Sequence, residues 1–293
     1  LIILDWEYIY KGSIRDFYPP FNKVEHSSNG YQVYAESLGD LDPPAQLSLT
    51  SKLGTRIEPS TLTSLIDFAF LCLHGTNGED GRIQGMLEFY GVPYSGTGIF
   101  SSAVGMNKHL QKDLMARYGF KVPEYTSIDR QTWLSISDRD SMMKFIAGKV
   151  GAPFVVKSDN QGSSIGVSCV DGLDADAFGN AVDRSFFIRR IKRSFWTVLN
   201  HQEKVEYVRT LSDIREGIGL PLTISGKVIY HPEELLSNLN QLFSEQGDEY
   251  LLETLDSEQT VLFEQFIKGK EFSCIVIDGL QGEPIALPPT EIR

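Results

Sequence analysis

Residues 71–98, LCLHGTNGEDGRIQGMLEFYGVPYSGTG, constrain the fold more than any other segment, because a glycine-rich, acidic turn follows directly on an apolar run. The run at residues 66–73, interrupted only by Asp67, reads as a parallel strand covered on both faces. His74 and Gly75 then open a loop in which Gly75, Gly78 and Gly81 can take backbone angles closed to other residues, with Glu79 and Asp80 held among them. Residues 82–90 read as a helix whose first turn is capped by that acidic pair. Capping leaves His74 unexplained. In open α/β sheets ligands bind outside the carboxyl ends of the strands, where this loop would lie, so His74 is either a satisfied structural residue or a ligand contact.

With 41% apolar and 23% charged residues among 293, the chain can bury a core split over two or three lobes. A net charge of -12 argues against general binding to nucleic acid or an anionic membrane. Any anionic ligand must then be met by a few concentrated cations, which directs attention to individual lysines. Cys72, Cys169 and Cys274 are far apart in apolar runs and fit reduced, buried thiols better than disulfides or a metal site, which points to the cytoplasm. No apolar run approaches a membrane span, and the opening LIILDWEY has neither a basic region nor a cleavage pattern. The missing initiator methionine predicts an incomplete chain.

Extended apolar runs at residues 1–4 and 66–73 alternate with helical patterns at 31–38 and 82–90, as an α/β lobe requires. One long helix is expected over residues 101–118, carrying Met106, Asn107 and Lys108, and another over 138–150. Residues 152–156 then form a short strand delivering Lys157, and residues 167–170 return as its hairpin partner across Gln161-Gly162-Ser163-Ser164-Ile165-Gly166. Residues 261–267 and 271–277 read as two strands joined through Lys268-Gly269-Lys270. Residues 184–246 read as helical, because Phe187, Ile191, Phe195 and Val198 recur at helical spacing. Arg184, Arg189, Arg190, Lys192 and Arg193 crowd the start of that segment, either as a solvated helix face or as a docking surface for an acidic partner reaching to Trp196.

Nucleotide binding needs cations for phosphates, backbone N–H groups free to wrap them, and an apolar slot with hydrogen-bonding edges for a base. Lys108 and Lys157 can supply charge, Gly162 to Gly166 a mobile flap, and residues 264–267 the slot. Neither G-x-x-x-x-G-K-[ST] nor G-x-G-x-x-G after a strand occurs, so neither standard nucleotide motif carries this reading. It rests on the order of four blocks: LHGxxGEDG, MNK, VVKSDNQGSSIG and LFEQFIKGKEF.

At these blocks the chain resembles the ATP-grasp superfamily and, within it, the D-alanine:D-alanine ligases. The family pattern LHGxxGEDGxxQGxLE appears at residues 73–88, PYxGxG at 93–98, MDK as Met106-Asn107-Lys108, and KPxxxGSSxG at 157–166 with Ser158 in place of proline. The resemblance implies an α/β chain of ATP-grasp architecture. It comprises an N-terminal parallel-sheet substrate lobe at residues 1–104, a central ATP-binding lobe at 105–267 with an inserted segment at about 184–246, and the start of an incomplete C-terminal lobe at 268–293. It implies that Lys108 and Lys157 contact ATP phosphates, that Gly162, Ser163 and Ser164 cover them, that Glu264, Phe266, Ile267 and Glu271 hold adenine and ribose, and that His74 and Ser163 face the substrate. The reaction implied is phosphorylation of one D-alanine carboxylate by ATP and attack by the amine of a second, for peptidoglycan precursors, with Mg2+ assisting. Positioning and stabilisation of developing negative charge dominate such a barrier, and a flap must keep water out. A homodimer is the implied assembly. Another carboxylate–amine ligase, or a degenerate nucleotide-binding or docking module, are the rival readings.

Three departures accompany the resemblance. Glu25 beside His26 is the nearest match to the glutamate that orients the first substrate, but its spacing differs. Roughly sixty additional residues separate the flap strand from the adenine strand. The chain stops at Arg293, where the family begins its substrate loop, so the magnesium ligands are expected beyond it and the chain alone is expected to be inert.

Overall fold

The computed structural model describes residues 8–10, 54–172, 174–245, 247–255 and 257–292. The expected elements at residues 1–4 and 31–38, and Glu25, lie outside them. Near the N-terminus β1 (Tyr8–Tyr10) pairs antiparallel with β2 (Gly54–Arg56). Residues 66–73 are not the doubly covered strand that the apolar run suggests. They form an extended segment with one parallel bridge, Ala69 to Tyr94, held by N–H groups of Ala69 and Ser95 on the carbonyls of Pro93 and Ala69. Period two explains the difference: Ala69 and Leu71 pack with Leu62, Leu87 and Val92, while Phe68 and Phe70 point the other way and are exposed.

Helix α1 (Arg82–Tyr90) has the predicted bounds. The long helix expected next is two, α2 (Ile99–Met106) and α3 (Lys108–Arg117). Asn107 divides them: its backbone is extended, and its Oδ1 accepts the Leu110 N–H at 2.7 Å as the cap of α3.

A four-stranded antiparallel sheet forms the central lobe. Its members are β3 (Tyr125–Asp129), β4 (Phe154–Ser158), β5 (Ser168–Val170) and β10 (Thr260–Gln265), in the order β3-β10-β4-β5. Helix α4 (Arg130–Ser135) follows β3, while α5 (Arg139–Val150) and α6 (Ala175–Ser185) cover one face. Their core includes Trp133, Met143, Ile146, Phe154, Val156, Phe178, Val182 and Phe263. Because strand side chains alternate, burying Phe154, Val156 and Ser158 on that face sends Val155 and Lys157 to the other. The alternation of β4 thus aims Lys157.

The inserted segment is not the run of helix expected. It is a second antiparallel sheet, β6-β9-β7-β8, built from β6 (Ile188–Lys192), β7 (Leu222–Ile224), β8 (Lys227–Ile229) and β9 (Glu249–Thr254), packed against α7 (His201–Ser212) and α8 (Pro232–Ser244). A spacing of four misled the periodicity, since it puts two residues on one side of a strand as well as of a helix: Phe187 and Ile191 both enter the insert's own core with Trp196, Leu211, Leu239 and Leu252, while Ile188 turns to the central core. Phe195 and Val198 are exposed.

The basic cluster is largely spent within the subdomain. Arg193 donates to the carbonyls of Phe243, Glu245 and Gly247 at the end of α8, where a cation complements the helix dipole. Arg184 donates to the Arg215 carbonyl and Arg190 pairs with Glu249 at 3.6 Å.

The two strands expected at residues 261–267 and 271–277 form as β10 and two short strands, and they do not pair with each other. Both edges of β10 are already taken, by β3 and β4. The chain beyond it pairs with itself instead: β11 (Glu271–Ser273) with β14 (Thr290–Ile292), and β12 (Val276–Asp278) with β13 (Pro284–Ala286). The three cysteines are free, as expected, but exposed rather than buried. In β5 the reason is again alternation, with Val170 turned to the core and Cys169 away. No helix among the described residues is long and apolar enough to cross a membrane.

Candidate functional site

The acidic loop behind residue 73 is built by its own carboxylates. Glu79 accepts the Gly75 N–H at 2.6 Å, while Asp80 accepts from the N–H groups of Asn77 and Arg82 at 2.9 and 3.1 Å and pairs with the Arg82 guanidinium at 3.2 Å. Only Asp80 therefore touches the start of α1; Glu79 closes the loop instead, and the N-cap is Gly81. Gly81 has φ +93°, and a Cβ there would lie 2.8 Å from the Ile99 carbonyl, so glycine is required at this close approach. His74 stands at the loop's rim, almost fully exposed, with Nδ1 3.9 Å from Glu79.

The second group of predicted residues converges on β4, β10 and α3. Lys157 on β4 and Glu264 on β10 are diagonal neighbours across an antiparallel pair, because Lys157 is opposite Leu262, and their side chains form an ion pair. Lys112, one turn after Lys108 on α3, meets the same carboxylate at 2.6 Å. All three side chains are less than one-fifth exposed. Burial alone would raise the Glu264 carboxyl, but hydrogen bonds from Lys112 and Lys157, and their charge, outweigh it and hold it below the usual glutamate value.

Lys108 heads α3 and reaches under the flap. Its Nζ donates to the carbonyls of Asp159 and Gln161 at 3.2 and 2.5 Å, and its N–H to Asp159 O at 3.1 Å. Burial, and then the charge of Lys157, push this ammonium below its ordinary value, with Glu258, Asp159 and Glu264 opposing. The buried Asp159 carboxylate takes the His109 N–H at 2.9 Å and the Asn107 Nδ2 at 2.7 Å. Glu258, buried at the exit of the insert, takes the Asn160 N–H and Nδ2 at 3.1 and 2.9 Å. Burial pushes its carboxyl above the usual range; the Asn160 bonds oppose that, Asp159 adds to it, and Lys108 counters it.

The flap itself is the tip of the β4–β5 hairpin. Gly162, Ser163 and Ser164 are exposed, and the two serines have φ of +52° and +59°. The Ile165 N–H closes onto the Gly162 carbonyl at 3.0 Å. Its base is fixed where the family has proline: Ser158 Oγ donates to the Ser185 carbonyl at 2.8 Å, and Ser185 Oγ donates to the Gly166 carbonyl at 2.7 Å. Gly166 has φ +70°, and a Cβ on it would come within 2.4 Å of Ser158 Oγ.

Lys108, Lys157, Glu264 and the Gly162–Ser164 tip therefore share one region, whereas Phe266, Ile267 and Glu271 follow β10 into exposed chain. Sequence reasoning missed Lys112, Asp159, Asn160 and Glu258. Lys112 was readable, since i and i+4 share a helix face; the others are fixed by tertiary contacts with no local signature. A polar cleft of about 590 Å³ opens beside this network, lined by Thr76 and Arg82 from the first lobe, Asn107, Asn160 and Gln161 from the flap side, and Glu258. Three cations and a hairpin tip suit a polyphosphate; Glu264 is the counterion that Lys112 and Lys157 share, while Lys108 rests on backbone carbonyls. Among the described residues no cluster of three or more histidine, cysteine or acidic side chains could hold a metal.

Comparison with known proteins gives the same family from independent directions. The model for the D-ala D-ala ligase N-terminus matches residues 20–97, and that for the D-ala D-ala ligase C-terminus matches residues 114–186, together just over half of the chain. The second match ends where the inserted subdomain begins. A D-alanine–D-alanine ligase of Natranaerobius thermophilus is 36% identical over 151 residues, 52% of this chain and 39% of that protein. The D-alanine–D-alanine ligase A of Bacillus cereus is 28% identical over 228 residues, 78% of this chain and 48% of that protein. The chain thus spans about a third to a half of the length of such relatives. The crystal structure of the VanG D-Ala:D-Ser ligase from Enterococcus faecalis superposes with a TM-score of 0.50 at 20% identity, over 85% of this chain and 52% of that one, which is a likeness of fold.

Proposed function

Since the chain belongs to the D-alanine:D-alanine ligase family and has its ATP-grasp fold, we propose that it is the nucleotide-binding part of an ATP-dependent ligase joining two D-alanines for peptidoglycan synthesis. The observation that carries this reading is the meeting of Lys112 and Lys157 at Glu264, with Lys108 held on the Gln161 carbonyl next to the Gly162–Ser164 tip. When bound, ATP supplies the phosphoryl group that activates a carboxylate toward an amine. The residues of this chain do the rest of the work assigned to it here. Lys108 and Lys157 neutralise phosphate charge from fixed positions, which is where such a reaction gains most of its acceleration. The backbone N–H groups of Gly162, Ser163 and Ser164 close over the phosphates, and the closed flap keeps water from the activated carboxylate.

His74 and Ser163 are proposed to meet the amino-acid substrate, and Glu264, Phe266, Ile267 and Glu271 the adenosine. The conflict with Glu264 as it stands is direct: its carboxylate holds two lysines, so a role toward the ribose or base requires phosphates to take those lysines over. Magnesium is proposed to accompany the nucleotide and share its phosphate charge. A homodimer and a cytoplasmic setting complete the proposal.

The test is release of phosphate by the full-length protein with ATP, magnesium and D-alanine. No release above background excludes the D-alanine assignment; release with other amino or hydroxy acids alone selects a different carboxylate ligase. Lys157→Ala is expected to weaken ATP binding at least tenfold, read by nucleotide titration.

A further inference from the structure

The chain leaves the inserted subdomain through residues 257–259, which are held by hydrogen bonds on both sides. Ser257 donates its N–H to the Thr254 carbonyl at 3.1 Å and receives Arg130 Nη1 at its Oγ at 2.7 Å. The Gln259 carbonyl takes the Arg130 N–H at 3.0 Å, and the same arginine forms an ion pair with Glu253. Between these two fixed points stands Glu258, only 4% exposed, with both oxygens on Asn160. Asn160 is the residue between the two carbonyls, Asp159 and Gln161, that hold the Lys108 ammonium. Its Oδ1 also takes Asn107 Nδ2 at 3.2 Å, at the cap of the helix that carries Lys108.

We propose that Glu258 is a positioning residue for nucleotide binding. It fixes Asn160, and through the carbonyls on either side it fixes the Lys108 ammonium at the flap's base. The insert, on this account, acts as a strut whose exit presents one carboxylate to the phosphate site. Geometry explains why a carboxylate is used. A bidentate acceptor is needed to take a backbone N–H and a side-chain N–H of one residue, and both donors are charge-strengthened by it. Asp159 in the β4–β5 hairpin and Glu258 in the connection from β9 to β10 are both buried; the Asn160 hydrogen bonds do most to offset the burial of Glu258 and the Lys108 charge adds a smaller part, with Lys157 and Glu264 the next charges facing Lys108.

The proposal rests on the reading of Lys108 as a phosphate ligand, and its test separates the two. Binding of a fluorescent ATP analogue with magnesium is measured for full-length wild type, Glu258→Ala, Glu258→Gln and Glu258→Ala/Asn160→Ala, together with hydrogen exchange of the amides at residues 158–167. Glu258→Ala is expected to weaken binding about tenfold and to speed exchange in that segment, and Glu258→Gln, which keeps one of the two acceptors, to weaken it about threefold or more. Adding Asn160→Ala to Glu258→Ala should cost little more, because both act on one link. Glu258→Gln retains volume and a hydrogen-bond acceptor, so it reports on folded protein if the alanine variant does not fold. Wild-type affinity in both Glu258 variants, whatever their thermal stability, overturns the proposal and leaves the phosphate reading standing. A wild type without affinity for the nucleotide removes both.

Discussion

Replacing Glu264 by glutamine keeps the shape of the side chain and removes one negative charge from between two ammonium groups. Lys112 and Lys157 are 12% and 18% exposed and Glu264 is 13% exposed, so water does little to screen the loss. Removing one partner of a buried ion pair costs about 3–5 kcal/mol, because the other charge is left uncompensated. The amide oxygen still accepts one hydrogen bond, which returns about 1 kcal/mol. The expected net destabilisation is therefore about 2–4 kcal/mol at neutral pH, a fall of roughly 5–10 °C in Tm for a chain of this size. Its pH dependence is diagnostic. The folded carboxyl is held below the usual value of 4.5, so its contribution is fully present above that pH and is lost as pH falls through the lowered value. Urea unfolding of wild type and Glu264→Gln, stepped from pH 7.5 to 3, should show the gap constant at first and closing in acid. A gap under about 0.5 kcal/mol at pH 7.5, or one that persists unchanged at pH 3, would refute the ion-pair account.

Three further outcomes follow from packing and hydrogen bonding. Gly166→Ala puts a methyl group against Ser158 Oγ at a left-handed position, and should cost about 2–4 kcal/mol in urea unfolding, partly restored by adding Ser158→Ala. Asp183→Ala strands the buried Trp133 indole N–H, now donated at 2.6 Å, and uncouples Arg139; a loss of about 3 kcal/mol is expected by the same measurement. Tyr94 and Tyr125, each donating to a carboxylate, are pushed up to about 12, so both phenols should titrate late in an ultraviolet pH titration, and one late step should vanish in Tyr125→Phe. Because the folded phenol values are raised, the stability they add is complete below pH 10 and disappears as pH climbs towards 12.

What the sequence disclosed was decided by short-range rules. Helix α1 is legible because Gly81 and Gly91 bracket a periodic stretch, and Lys157 because alternation along β4 turns it away from Phe154 and Val156. Helix α3 was half legible. Its capping residue, Asn107, is a good N-cap, yet the apolar pattern runs straight through it and conceals the break. The inserted subdomain defeated periodicity because Phe187 and Ile191, four apart, enter one core from a strand as readily as from a helix. Glu258 could not be found at all from its neighbours in sequence, since its partner is 98 residues away.

The shared carboxylate at Glu264 has one more consequence. A cation cluster left bare would attract any small anion in solution, whereas here Lys112 and Lys157 already hold a counterion supplied by the chain. On the proposed reading, phosphate binding would be an exchange, driven by the difference between a polyphosphate and one carboxylate as partners for the same two lysines. Chloride or acetate would offer no such difference. The site would work like a permanently loaded ion exchanger, selective by the strength of the anion it already carries.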